Sequence, residues 1–211
     1  MNTNHDSPRS IWLARHGNRI DFIDSTWRER AERPHDPPLS PDGIIQARKL
    51  GLRLKSAGLN HIFSSPFLRT VQTAVQVAEA TGLPVKLEKG LGEFLNPIWF
   101  PTAPKLLSVD ELARQFPCID TRYVSRGDAV YPEHDEINDC WPRAAQTARR
   151  LVQQFPGNLL LVGHGATVAG ATYGLVEGYP ELHCGLCCLI QIELRDGKGK
   201  LVLNGDDCHL R

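Results

Sequence analysis

Short apolar runs alternate along the chain with longer segments in which apolar residues recur every three or four positions. The short runs predict strands, and they lie at residues 10–14, 61–63, 85–87 and 158–162. The longer segments predict helices, and they lie at residues 40–58, 65–82, 142–155 and 166–176. Because strands and helices alternate, the pattern predicts an α/β fold, a three-layer α/β/α sandwich with a mainly parallel central sheet.

Local signals refine the ends of these elements. Ser40 is a typical N-cap residue, a proline follows it, and Gly58 predicts the end of the same helix. Ser65, also followed by proline, predicts a second helix start of this kind. The run at 158–162 is the most continuously apolar and predicts a buried central strand. The runs 187–194 and 200–203, joined by a Gly-containing turn, predict a β-hairpin.

Two stretches lack a clear period. Residues 18–39 are polar, contain three prolines and predict a loop with a short helix near 26–32. Residues 91–139 contain five prolines and a single helical pattern at 109–116. Long irregular stretches inside a compact domain are commonly functional lids. We therefore expect one domain, 1–211, with a lid-like insertion at about 91–139.

Composition and charge add little to this picture. The 24 basic and 24 acidic residues give a formal net charge of zero, which favours neither nucleic acid nor an anionic membrane as a partner. The first nine residues are polar, unlike a signal peptide, and no run approaches the roughly 18 apolar residues of a membrane span. We expect a cytoplasmic protein with reduced cysteines and with no nucleic-acid or membrane partner.

The six cysteines raise the question of a metal site. Cys184, Cys187 and Cys188 lie close together in sequence, and Cys208 with His209 is the nearby candidate for further ligands. Neighbouring residues of a strand point to opposite faces, so Cys187 and Cys188 are expected to face opposite sides of the sheet. We expect thiols that pack as small apolar groups, and no metal.

Imidazole and guanidinium groups follow three of the predicted strands. The first strand leads into Arg15 and His16, the second into a segment that contains Arg69, and the fourth into His164. Ligands of α/β proteins bind beyond the carboxyl ends of the strands, so these side chains are expected to meet there. A neutral imidazole is a nucleophile, and guanidinium groups hold a tetrahedral oxyanion. The pattern predicts phosphoryl-transfer chemistry.

These segments resemble the histidine phosphatase superfamily, which includes phosphoglycerate mutases and many phosphatases. The resemblance covers roughly residues 11–194 and rests on the motifs at 13–19, 64–74 and 161–166. Arg19 is similar to the phosphatase branch, because the mutase branch usually has serine or threonine at that position. The resemblance implies a phosphoglycerate mutase-like sandwich fold, and it implies that His164 faces His16 across the phosphate.

The residues take the following expected roles. His16 is the nucleophile, and the nearby arginines should lower its pKa and keep it neutral. Gly17 would let the backbone come close to the phosphate. His164 can donate a hydrogen bond to a phosphate oxygen and is counted with the catalytic residues. The phosphate-binding set is Arg15, Arg19, Arg69 and His164.

The proton donor is expected to be Glu93, which follows the third strand at about the place where the family carries its acid. Apolar neighbours should raise its pKa and keep it protonated. Asp21, Glu133 and Asp135 remain alternatives, the first by its proximity to His16 and the others by movement of the insertion. A protonated acid and a neutral histidine predict a bell-shaped pH–rate profile.

Three functions remain open at this point. A metal-independent phosphatase without a cofactor is the first, with a phosphohistidine formed on His16 and then hydrolysed. The second is a phosphoglycerate mutase-type phosphotransferase, and the third is a non-catalytic phosphate-binding or scaffold protein. The expected ligand is a phosphorylated small molecule or a phosphopeptide. Leu175, Val176 and the C-terminal hairpin are candidates for a homodimer contact.

Aromatic and polar residues of the insertion either shape a substrate pocket or only pack the lid. These residues are Trp99, Phe100, Arg122, Tyr123, Tyr131 and His134. If they line the pocket, an aryl or hydrophobic phosphomonoester or a phosphopeptide suits it.

Overall fold

A six-stranded mixed sheet forms the centre of the computed structural model, which describes residues 8–211. Its strands are β1 (Arg9–Arg15), β2 (Leu59–Ser64), β3 (Val85–Leu87), β4 (Asn158–Gly163), β5 (Leu189–Arg195) and β6 (Lys198–Asp206). They lie in the order β3-β2-β4-β1-β5-β6. Strands β1 to β4 pair in parallel, whereas β5 and β6 are antiparallel to their neighbours. The predicted mainly parallel sheet and the central position of β4 are confirmed.

Helices cover both faces of the sheet. The α-helices are α1 (Ile20–Ile23), α2 (Trp27–Arg30), α3 (Pro41–Leu54), α4 (Leu68–Thr81), α5 (Val109–Gln115), α6 (Trp141–Gln154) and α7 (Gly165–Tyr173). Helices α3 and α4 share one apolar core with the sheet, and α6 and α7 share the other. The predicted α/β/α sandwich is therefore confirmed.

The period of two along β1 separates these two cores. Trp12 and Ala14 belong to the α3/α4 core, and Ile11 and Leu13 belong to the α6/α7 core. Successive side chains of a strand point to opposite faces, so a strand that is apolar throughout is buried on both sides. Full burial of each large apolar side chain contributes about 1.5–3 kcal/mol, which fixes the strands whose ends carry the candidate residues.

Helix α4 begins later than the sequence predicts. It starts at Leu68, and its N-cap makes no side-chain hydrogen bond. The carboxylate of Asp36 instead accepts the Leu68 N–H at 2.8 Å. The prediction that Ser65 starts this helix is wrong, because a partner 32 residues away supplies the cap. The Ser40 cap is confirmed, since its hydroxyl accepts a backbone N–H of the first turn of α3.

The C-terminal hairpin is confirmed, but its limits differ from the prediction. Strand β5 begins at Leu189, because Cys187 has a φ of 56° and cannot continue a strand. The turn consists of Asp196 and Gly197, both with positive φ, as in the tight hairpin turns that match strand twist.

The segment 91–139 contains α5 and ends in a short π-helix, Glu136–Cys140. Within it, Ile119 pairs with Val85 of the edge strand β3. Among residues 8–211, no helix has both the length and the apolar character needed to cross a bilayer.

Candidate active site

The carboxyl ends of β1, β2 and β4 lie side by side, because these strands are parallel neighbours. Arg15 at the end of β1 is in register with Gly163 at the end of β4, and Ser64 of β2 is in register with Val162. His16 and His164 are the next residues of β1 and β4. Their imidazole rings meet edge to face with centroids 5.4 Å apart. Both histidines are completely buried.

The tautomer of His16 follows from its hydrogen bond. Nδ1 lies 2.7 Å from the carbonyl oxygen of Gly17, and a carbonyl only accepts, so Nδ1 carries the proton. In the neutral ring the lone pair is then on Nε2, which is buried and has no hydrogen-bond partner among residues 8–211. The peptide N–H of His16 donates to Gly163 at 3.1 Å and fixes the residue at the strand end. Nε2 is therefore free to act as a nucleophile.

Burial lowers the pKa of His16 well below its usual value, and Arg69 and His164 lower it further. The predicted direction of the shift is confirmed. Its cause differs, because desolvation is the largest contribution and Arg15 and Arg19 are not among the leading ones.

The orientation of His164 depends on Ser65. The Ser65 hydroxyl lies 2.9 Å from Nε2, and it accepts the N–H of Phe67 at 3.4 Å. The hydroxyl proton is then available to Nε2, which leaves the ring proton of neutral His164 on Nδ1. Burial lowers the pKa of His164 to about 4, with Arg69 adding to the effect. Sequence reasoning missed Ser65, whose only local signal was a helix start.

Arg69 is completely buried at the start of α4. Its Nη2 donates to Oε2 of Glu93 at 3.0 Å, and its Nη1 lies 4.0 Å from Oδ1 of Asp36. The same Oε2 of Glu93 is 3.2 Å from Nδ1 of His164. Glu93 thus touches both a guanidinium and the second imidazole. Asp36 was not predicted, because no motif marks it.

Glu93 is ionised in this arrangement. Burial alone would raise its pKa, but His164 and then Arg69 hold the pKa of the carboxyl well below its usual range. The expectation that apolar neighbours keep Glu93 protonated is therefore wrong, since its contacts with the His164 imidazole and the Arg69 guanidinium outweigh the desolvation.

Arg15 and Arg19 lie at the same edge of the sheet. Arg15 Nη1 donates to the carbonyl of Cys184 at 2.8 Å. The Arg15 guanidinium also lies beside Gly165, the first residue of α7, because a Cβ placed on that glycine would be 3.7 Å from the guanidinium carbon. Arg19 makes a bidentate pair with Asp21, with nitrogen–oxygen distances of 2.9 and 2.7 Å. Both guanidinium groups keep donors that a bound anion can use.

Buried nitrogens without a partner concentrate at this site. Ten buried side-chain N or O atoms of residues 8–211 have no hydrogen-bond partner, and five of them belong to the predicted set. These five are Arg15 Nε, His16 Nε2, Arg69 Nε, Arg69 Nη1 and His164 Nδ1; the last two lie within 4.0 Å of a carboxylate oxygen without the geometry of a hydrogen bond. Buried polar groups are normally paired, so such a cluster of nitrogens is suited to an oxyanion.

The other acids considered from sequence have different partners. Asp21 binds Arg19 and also Arg28, whose Nη2 lies 3.0 Å away. Glu133 forms a buried bidentate pair with Arg143. Asp135 accepts the N–H of Asn138 and caps the π-helix. Of the four candidates, Glu93 is the one in contact with His164 and Arg69.

The residues of the insertion that were considered for a pocket divide into two groups. Trp99 is 60% exposed and its ring packs against Phe94, the residue after Glu93. Phe100, in contrast, is buried. Tyr123 donates to Glu88 and packs on the core residue Phe63, so it stabilises the fold instead of lining the site. The remaining three lie as follows: Tyr131 donates to the Phe100 carbonyl, Arg122 lies beside Asp120, and the His134 N–H binds Asp139.

The cysteines are free thiols, and Cys187 and Cys188 are buried as expected. Within residues 8–211, two groups of side chains are close enough to share an ion, namely His16 with Glu93 and His164, and Asp206 with Cys208 and His209. Neither group contains Cys184, Cys187 or Cys188.

Gly17 is required by packing against α3. A Cβ at this position would lie 2.7 Å from the carbonyl oxygen of Gly43, which real side chains do not tolerate. From the sequence we expected Gly17 to allow close approach of the backbone to the phosphate. The structure shows instead that Gly17 allows close approach to the backbone of α3 at Gly43, a contact that the motif did not indicate.

The fold is thus an α/β/α sandwich with two facing histidines and a buried arginine at the carboxyl edge of its sheet. The model of the histidine phosphatase superfamily (branch 1) matches residues 11–207, and the chain belongs to this family.

The relatives include phosphatases. The chain is 28% identical to the ecdysteroid-phosphate phosphatase of Drosophila melanogaster, over 96% of this chain and 33% of that protein. It is 29% identical to human ubiquitin-associated and SH3 domain-containing protein A, over 84% of this chain and 32% of that protein. The chain thus spans about a third of these relatives. The crystal structure of the Bombyx mori ecdysone phosphate phosphatase with tungstate superimposes with a TM-score of 0.73 at 23% identity, covering 93% of each chain, which shows the shared fold.

Proposed function

We propose that the chain is a metal-independent phosphatase that hydrolyses phosphomonoesters through a phosphohistidine on His16. The observation that carries the proposal is the unprotonated, unpartnered Nε2 of His16, buried beside Arg69 and facing His164. Positive charge on the equatorial phosphate oxygens is what phosphoryl transfer requires, and arginines supply it here.

The first half-reaction transfers the phosphoryl group to the protein. Nε2 of His16 attacks phosphorus, the ester P–O bond breaks, and the leaving oxygen takes a proton from Glu93. Arg15, Arg19 and Arg69 bind the transferred oxygens, and the Nδ1–H of His164 donates to one of them. To bind a phosphate oxygen, Arg19 has to share its N–H donors between the phosphate and Asp21.

The second half-reaction returns the protein to its starting state. The Glu93 carboxylate accepts a proton from a water molecule, whose oxygen attacks the phosphohistidine. The N–P bond breaks, its electron pair returns to Nε2, and inorganic phosphate leaves; with the anion gone, Glu93 gives the proton that it took from water to the solvent and is again ionised. Glu93 acts as acid in one step and as base in the other, so it must gain and lose a proton within each cycle.

Glu93 gains that proton when the substrate binds. In the free protein Arg69 and His164 hold it ionised. A phosphate dianion beside it engages the Arg69 guanidinium and the His164 N–H and adds negative charge, and both effects raise the pKa of a carboxyl. Substrate binding thus protonates the group that later donates the proton.

We also propose an aryl or otherwise hydrophobic leaving group. Phe22 is 53% exposed and stacks on the Arg19 guanidinium at 4.1 Å, and Trp99, six residues after Glu93 in the sequence, is 60% exposed. Exposed aromatic rings beside a polar centre favour an apolar group on the ester oxygen.

The test is hydrolysis of p-nitrophenyl phosphate with EDTA present, comparing wild type, His16→Ala and a control, His183→Ala, which alters an exposed histidine. We expect turnover by the wild type and the control and none by His16→Ala, and an acid-labile, base-stable phosphoenzyme on rapid quench. Activity that survives in His16→Ala would exclude this nucleophile. Isomerisation of a phosphoglycerate that depends on a bisphosphorylated primer would indicate a mutase, and tungstate binding without turnover of any ester would indicate a binding module.

A further inference from the structure

A buried ion pair holds the backbone on both sides of Glu93. Arg143 of α6 donates to both carboxylate oxygens of Glu133, from Nε at 2.7 Å and from Nη2 at 2.9 Å. The Glu133 side chain is 1% exposed and that of Arg143 is 9% exposed. A bidentate pair of this kind fixes the plane of the guanidinium as well as its position. We call these two residues the Arg143–Glu133 clamp.

The remaining donors and acceptors of the clamp bind the segment that carries Glu93. Arg143 Nη1 donates to the carbonyls of Gly90 and Gly92 at 3.0 and 3.1 Å, and Nη2 donates to the carbonyl of Glu93 itself at 3.1 Å. On the other side, Glu133 Oε2 accepts the N–H of Leu95 at 3.0 Å, and the Glu133 N–H donates to the Leu95 carbonyl at 3.1 Å.

The clamp therefore leaves the peptide of Glu93 little freedom. The carboxyl group of Glu93 lies 3.0 Å from Arg69 and 3.2 Å from His164, and Glu93 stands near the start of the insertion, shortly after β3. No regular element lies between Gly92 and Ser108, so strand or helix hydrogen bonds do not hold this position. The ion pair supplies the missing constraint.

We propose that Arg143 and Glu133 are positioning residues for proton donation by Glu93, an inference that rests on the proposed phosphatase function. They do not touch the substrate. Loss of the clamp lets the Glu93 carboxyl move, and displacement of a catalytic group by about 1 Å can reduce a rate by about a hundredfold. The nucleophile and the phosphate-binding arginines stay in place, because other elements hold them.

This proposal makes a prediction that a merely structural role does not make. A basic leaving group needs a proton in the transition state, whereas p-nitrophenolate leaves without one. We expect Arg143→Lys to reduce kcat/KM for phenyl phosphate at least about tenfold more than for p-nitrophenyl phosphate. Glu93→Gln should show the same selectivity, and the double variant should lose little beyond Glu93→Gln alone.

Controls separate this effect from instability. Arg149→Lys alters an exposed arginine of the same helix that donates to the Gly174 carbonyl, and both esters should react at wild-type rates. Glu133→Gln keeps the shape of the clamp but removes the negative charge of its carboxylate, and it serves as the second variant if Arg143→Lys does not fold. Equal losses on the two esters, or full additivity in the double variant, would overturn the proposal.

A second readout keeps the clamp testable if the wild type hydrolyses neither ester and the proposed function fails. Tungstate binding should take up a proton on Glu93, and Arg143→Lys should reduce this uptake at saturating tungstate. Unchanged uptake in a folded Arg143→Lys variant would show that the clamp does not position Glu93.

Discussion

Oxyanion binding should load a proton onto Glu93. In the free protein its Oε2 is 3.0 Å from Arg69 Nη2 and 3.2 Å from His164 Nδ1, and these contacts hold its pKa well below the usual range. The perturbation is the addition of tungstate, a tetrahedral dianion that stands for phosphate, and a blank titration at the same pH subtracts the protons that tungstate itself takes up. The proton that binds with it then reports on the protein.

The magnitude follows from the charges at the site. An anion held by Arg69 would lie about 5 Å from the Glu93 carboxylate, where one unit charge interacts with it by about 3 kcal/mol at an effective dielectric constant of about 20. An energy of this size exceeds the roughly 1.4 kcal/mol that corresponds to a tenfold change in a protonation equilibrium, so the bound anion raises the pKa of Glu93 and favours its protonated form.

The assay is titration calorimetry of tungstate near pH 6 in buffers of different ionisation enthalpy. We expect a net uptake of protons, of no more than one per tungstate, because one carboxyl accounts for it. The uptake should fall as the pH rises through the pKa of Glu93 in the complex, because the carboxyl then stays ionised in both states. Glu93→Gln should bind tungstate with an uptake close to zero.

Two results would refute this reasoning. Wild-type uptake near zero would mean that Glu93 stays ionised with the anion bound and cannot donate to a leaving group. Undiminished uptake in Glu93→Gln would place the proton on an imidazole instead, and His164→Asn would then identify which one.

Three further predictions concern the nucleophile, the second histidine and the strand end. Burial lowers the pKa of His16, so this residue should stay neutral as the pH falls through about 6.5. We therefore expect kcat/KM, corrected for ionisation of the ester, not to decrease in this range because of His16. A decrease of kcat/KM with a midpoint near pH 6.5 would contradict the assignment of the nucleophile. Ser65→Ala should lower kcat about tenfold, because the tautomer of His164 is no longer fixed, and Ser65→Thr should restore activity if its hydroxyl is what matters. Gly17→Ala should reduce the free energy of unfolding by about 1–3 kcal/mol in urea, since its Cβ meets the Gly43 carbonyl; unchanged stability would show that the two backbones can separate.

The sequence predicts those parts of the fold that depend on local periodicity. The strands of the parallel sheet and the helices on its two faces follow from runs and repeats within about ten residues of chain. The start of α4 does not follow, because its cap is Asp36, which is 32 residues away. The predicted start of β5 at Cys187 is also wrong, since nothing about a cysteine in an apolar run indicates that its φ is positive.

The same distinction applies to the site. His16, Arg69 and His164 are recognisable because each follows a strand in a pattern that matches a known family. Ser65 acts on a histidine 99 residues away, and the ion pair of Arg143 with Glu133 acts on peptides 38 to 53 residues away. These supporting residues have ordinary local sequences, and only the folded chain shows which groups they hold.

The protonation states explain why the acid and the nucleophile can share one buried site. Burial favours neutral groups, so it suits a nucleophilic imidazole, and by itself it would also keep a carboxyl protonated. In the free protein that carboxyl is needed as a counter-ion, because Arg69 is completely buried and an unpaired buried cation is costly. In the proposed mechanism Glu93 fills this need until an oxyanion replaces it. Binding of an ester beside His16 would then release Glu93 from Arg69 and favour its protonation, so that the proton donor would become active only when there is an ester to cleave.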